Sequence, residues 1–95
     1  MKILGYDFRV EMDKPYNELG AMGRSHFNTM LIQIASDSGK QQMESTVLHE
    51  IIELCNVALE MELSHHAISV LETSLYQTLT ANGIDLSPLT KELGK

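Results

Sequence analysis

Leu48-His49-Glu50-Ile51-Ile52-Glu53-Leu54-Cys55-Asn56-Val57-Ala58-Leu59 is the stretch whose reading decides the fold. Leu48, Ile51, Ile52, Cys55 and Leu59 recur at helical spacing on one face, which predicts an amphipathic helix. The pattern carries that helix from Lys40 to Glu60, and Asp37-Ser38-Gly39 just before it supplies cap and turn chemistry. A second helix over residues 65–82 follows, with Ser64 as N-cap, Ile68, Leu71, Leu75 and Leu79 as its stripe, and Asn82-Gly83 at its end. A connection of about four residues makes the pair an antiparallel helical hairpin.

Upstream the period changes from helix to strand. Tyr6, Phe8, Val10 and Met12 alternate with Asp7, Arg9 and Glu11, the signature of a half-buried strand, and Gly5 allows a turn from a short first strand at Lys2–Leu4. Asp13 to Ser25 holds Pro15, Gly20 and Gly23 and reads as a loop. Asn28, Met30, Ile32 and Ile34 alternate again, with Thr29 and Gln33 on the other face. The expectation is one α+β domain over residues 1–95: a small antiparallel sheet of two or three strands (residues 2–12 and 28–34), a two-helix hairpin, and a short tail carrying Pro88 and Leu89–Leu93.

Thirteen acidic residues against seven basic ones give a net charge of −6, the wrong sign for a protein that neutralises phosphates, so nucleic acid is not expected as a partner. A single cysteine forms no internal disulfide, and Cys55 within an apolar pattern reads as a small buried hydrophobe. Met1–Gly5 lacks the form of a signal peptide and no spanning stretch follows, which points to the cytoplasm and away from membranes.

On a helix, His49 and Glu53 project one turn apart from the same face and can share one metal ion, with Glu50 between them. In a His-Glu-x-x-His helix the histidines bind zinc and the glutamate deprotonates water; here a carboxylate replaces the second histidine, and zinc accepts either. So short a motif gains weight only from its surroundings. His49, Glu53, Asn56 and Glu60 share one flank of the first helix, and His65 and Glu72 share an azimuth on the second. Glu72 lies within the apolar stripe between Ile68 and Leu75, so its carboxylate needs a cation or hydrogen-bond donors. A hairpin turning at Leu63 sets Glu72 level with Glu53 and leaves His65 up to about two turns away. Ligand chemistry favours His65 instead, because two imidazoles and one carboxylate make the commoner zinc set. Both stay open. Tyr76 shares the flank of Glu72 and reads as a core tyrosine with a wet hydroxyl, while His26 and His66 read as surface residues.

The run Thr46-Val47-Leu48-His49-Glu50-Ile51-Ile52-Glu53, with Leu63-Ser64-His65 and Leu71-Glu72-x-x-Leu75-Tyr76-Gln77-x-Leu79, resembles small phage and prophage proteins of the minimal zincin-like kind. The resemblance covers Gln33 to Asn82. It implies strands leading into a metal-binding helix and one further helix, and Zn²⁺ held by His49, Glu53 and His65, with Glu72 as an alternative or additional ligand. Relatives with histidine at the Glu53 position tend to hold a carboxylate at the His65 position, an exchange of ligands that tilts the third place toward His65. It also implies Glu50 as general base of a peptidase, acting on a peptide laid between the Asn28–Ile34 strand edge and the first helix. The departure at Glu53 favours a second expectation, a phage-encoded interaction module for a host protein, with no metal or only a structural one. Met12, Met22, Met30, Met43 and Met61 offer such a module adaptable contact surface.

Overall fold

A computed structural model describes residues 1–93, the side chains of Glu18 and Leu19 apart; Gly94 and Lys95 of the expected tail lie outside the described residues. The chain opens with a hairpin, Lys2–Ile3 (β1) against Tyr6–Asp7 (β2), turned by Leu4 and Gly5 at φ 52° and 84°. Positive φ at both turn residues is the two-residue geometry whose twist matches that of the strands. The alternating run beyond Gly5 is therefore split. Tyr6 sits exposed on the hairpin, edge-on to Phe27, while Phe8 and Val10 go into the core and Arg9–Met12 forms β3.

Residues 13–25, expected as a loop, hold a short helix and most of a strand. Tyr16–Leu19 (α1) ends at Gly20 with φ 80°, and its first amide, Tyr16 N–H, donates to the Asp37 carboxylate at 2.9 Å. Asp37 thus caps α1 rather than the long helix, which starts from Gly39 without a side-chain cap. Gly23–His26 (β4) then pairs antiparallel with Leu31–Ile34 (β5).

Because β4 is the returning arm, β5 runs in the same direction as β3, and the two pair in parallel with Val10 opposite Ile32. The second sheet is therefore mixed, in the order β3-β5-β4, rather than wholly antiparallel. A parallel pair needs a long crossover, which residues 13–30 provide. Ile32 and Ile34 of the central strand are fully buried, and each contributes about 1.5–3 kcal/mol of apolar transfer. Gln33, on the opposite face, donates to Asp13 at 2.7 Å.

The long helix, Lys40–Ala58 (α2), crosses the inner face of the sheet, and His65–Ala81 (α3) packs on it. Side-chain pairs Glu44–Tyr76, Ser45–Glu72 and His49–His65 run in opposite directions along the two helices, which makes the hairpin antiparallel, as expected. Ser64 caps α3 by accepting from Ala67 N–H, and Gly83 at φ 79° follows its end. The α2 stripe is rotated from its expected position. Met43, Val47, Glu50 and Leu54 face the sheet, whereas Leu59 is 58% exposed. The tail is ordered as a 3₁₀ helix, Ser87–Leu93, that buries Leu93 beside α2 and β3, and the Met1 ammonium reaches Glu92 at 2.8 Å. Among the described residues no helix is long and apolar enough to cross a membrane.

Candidate metal centre

A cleft of about 700 Å³ has α2 as its floor and β4 and α3 as its walls. Gly23 explains how closely β4 approaches the floor: a Cβ there would lie 2.6 Å from Thr46 Cγ2. Ser25, two residues along and on the same face, lines the cleft beside Glu50. The groove edge expected from residues 28–34 is thus supplied by β4, because β5 is paired on both sides.

Ser45, His49 and Glu53 follow one another at four-residue spacing along α2, on the line that faces α3. His65, the first residue of α3, meets them: one ligand atom each from His49, Glu53 and His65 lies within 4.8 Å of the others. The two imidazole rings stand 5.3 Å apart at 62°. His49 and Glu53 are half-buried and His65 is exposed at the rim, which leaves the cluster open to the cleft.

Glu72 is close by but sits outside this cluster. Its half-buried carboxylate accepts from Ser45 Oγ–H through one oxygen and faces His49 Nδ1 at 3.4 Å through the other. His65 is not two turns off, as a hairpin turning at Leu63 implies, because the connection is a longer loop, residues 59–64, that folds back on α2. Leu63 N–H donates to Asn56 Oδ1 at 2.8 Å and Asn56 Nδ2 donates to Leu63 O at 3.4 Å, while Glu60 and Glu62 adopt positive φ. That return brings His65 level with His49 and Glu53.

Glu50 is buried, 6% exposed, at the floor of the same cleft. Burial raises its carboxyl pKa, and the Ser25 hydroxyl and nearby His49 oppose the rise. His26, at the end of β4, lines the cleft and shares a hydrogen bond with Gln33 at 3.3 Å. His66 is exposed. Tyr76 lies elsewhere: its hydroxyl, expected to be wet, donates to the buried Glu44 carboxylate at 2.9 Å, and its pKa is raised by burial and by that glutamate. Sequence reasoning missed Ser25 and Ser45. Ser45 was legible in principle as the next position on the His49–Glu53 line, but Ser25 was not, since nothing in its surroundings signals a strand. Compared with protein-family models, curated proteins and solved structures, the chain matches none.

Proposed function

We propose that this cleft is a zinc-dependent hydrolytic site of the zincin-like kind, with His49, Glu53 and His65 as ligands, Glu50 as general base and an extended peptide as substrate. The observation that carries the reading is the convergence of those three donors from two helices beside a buried glutamate. Two imidazoles and one carboxylate are a donor set zinc favours. Tetrahedral ligands stand about 3.4 Å apart, so the widest pair closes by about 1.4 Å at most, within reach of rotamer changes at the exposed His65. A bound zinc ion supplies Lewis acidity toward a carbonyl and acidifies water.

The chain's own groups supply the rest. A Glu50 carboxylate oxygen takes a proton from the attacking water and returns it to the leaving amine, and a carboxyl pKa raised by burial makes it a stronger base for that step. Among the described residues β4 pairs with β5 alone, so an extended peptide can add along its cleft-side edge. On this reading the protein works in the cytoplasm, that of the host if a phage encodes it.

Metal content of protein purified without a nickel step tests the reading. One zinc per chain, absent from His49→Ala, is expected, and Glu50→Gln keeps the zinc while losing peptide hydrolysis. Wild-type protein that holds no zinc and melts unchanged when zinc is added refutes it. A second reading, an interaction module that binds a host protein with no metal or only a structural one, is favoured by exposed Val57, Leu59 and Met61 on one side and Val70, Leu71 and Leu75 on α3. It predicts a partner whose binding survives His49→Ala.

A further inference from the structure

The contact between Glu72 and His49 is not used by the hydrolytic reading, and it constrains which nitrogen of His49 can bind a metal. Glu72 is held twice. Ser45 Oγ–H donates to one carboxylate oxygen, and the other faces His49 Nδ1 at 3.4 Å. An ionised carboxylate offers only acceptor oxygens and negative charge, so its place 3.4 Å from Nδ1 favours the tautomer with the proton on that nitrogen. A neutral imidazole protonated on Nδ1 bears its lone pair on Nε2. Glu72 is half-buried at 18% exposure and His49 at 14%, so water competes weakly for either group.

We infer that Glu72 is a positioning residue: anchored by Ser45, it holds His49 as the Nδ1–H tautomer and orients the ring so that Nε2 is the ligand atom presented to Glu53 and His65. This inference rests on the metal-site reading above and assigns Glu72 a place behind the ligand rather than among the ligands. Groups that orient a ligating histidine in this way typically change metal affinity by about ten- to a hundredfold when removed. The arrangement links the two helices even in metal-free protein, since Ser45 and His49 belong to α2 and Glu72 to α3.

Two measurements test it. In metal-free protein with the imidazole neutral, nitrogen–proton correlation spectra of the His49 ring are expected to show the proton on Nδ1. Glu72→Ala is expected to release that preference and to weaken Zn²⁺ binding by about ten- to a hundredfold. Glu72→Gln keeps an acceptor oxygen facing His49, so it is expected to retain the tautomer and recover part of the affinity. Ser45→Ala, a milder change that carries the test if Glu72→Ala does not fold, is expected to weaken zinc binding less. Asp7→Ala, the same loss of one negative charge outside the cleft, is the control and leaves affinity unchanged. A proton on Nε2 in the wild type, or zinc affinity in Glu72→Ala within about twofold of the Asp7→Ala control, overturns the inference. A wild type that shows Nδ1–H and its dependence on Glu72, yet binds no zinc, sinks the metal reading while the tautomer assignment stands.

Discussion

Removing the Asn56 side chain should unpin the loop that carries His65. Asn56 is half-buried and bonds both main-chain groups of Leu63, accepting from the N–H at 2.8 Å and donating to the carbonyl at 3.4 Å. The first is a full hydrogen bond and the second a long one, with net values near 1 kcal/mol and below. Asn56→Ala is therefore expected to destabilise the fold by about 1–2 kcal/mol, which for a domain of this size lowers Tm by roughly 5–15 °C. Asn56→Asp keeps the short acceptor bond and loses the long donor bond, so it should fall between wild type and alanine. Thermal melts of metal-free protein followed by circular dichroism read both. A zinc titration then reads the site: Asn56→Ala should bind more weakly although it alters no ligand, because His65 must be brought back to α2. An Asn56→Ala protein that melts within about 2 °C of wild type refutes the claim that this side chain fixes the return of the loop.

Three further changes probe other joints of the fold. Leu4→Asn makes the first hairpin an Asn-Gly turn at a position with φ 52° where leucine is about half exposed, and should stabilise by about 0.5–1 kcal/mol in a denaturant melt. Gly23→Ala drives a methyl to 2.6 Å from Thr46 Cγ2 and should destabilise by about 1–3 kcal/mol; adding Thr46→Ala should recover most of the loss, measured as a double-mutant cycle. Asp85 accepts from the backbone N–H and hydroxyl of Ser87, bonds that lower its pKa below 3.8. Its stabilising contribution is thus present above pH 3.8 and fades as pH falls through the lowered folded value, so wild type should melt above Asp85→Ala at pH 7 and converge with it in stronger acid.

The two helices and their order were legible because their signals are local: Ser64 caps α3 and Gly83 follows its end, as the sequence implies. The α+β class was legible too, from the change of period at Asp37. β4 was not, for Gly23-Arg24-Ser25-His26 holds no Val, Ile, Thr, Phe, Tyr or Trp. It is a strand because β5 offers an edge and Thr46 leaves room only for glycine, and both facts are tertiary. The α2 stripe came out rotated for a related reason. That helix packs against the sheet, α3 and the 3₁₀ helix at once, so its apolar residues spread over several faces and Leu59 stays exposed. At the site, His49, Glu50 and Glu53 could be grouped from spacing alone. The choice between His65 and Glu72 could not, since it turns on a loop that doubles back on one asparagine.

The packing of α3 has a consequence for how the molecule breathes. Its main contacts are with α2, whereas α2 is also gripped by β4, β5 and the 3₁₀ helix. Amide protons of α3 should then exchange with solvent through partial openings that leave the sheet and α2 intact, as the less protected of the two long helices. His65 and Glu72 ride on that helix, so each such opening separates them from His49 and Glu53 together. Whatever ties the two helices at this point slows the exchange of α3 first, and the exchange pattern of one helix becomes a readout of the site.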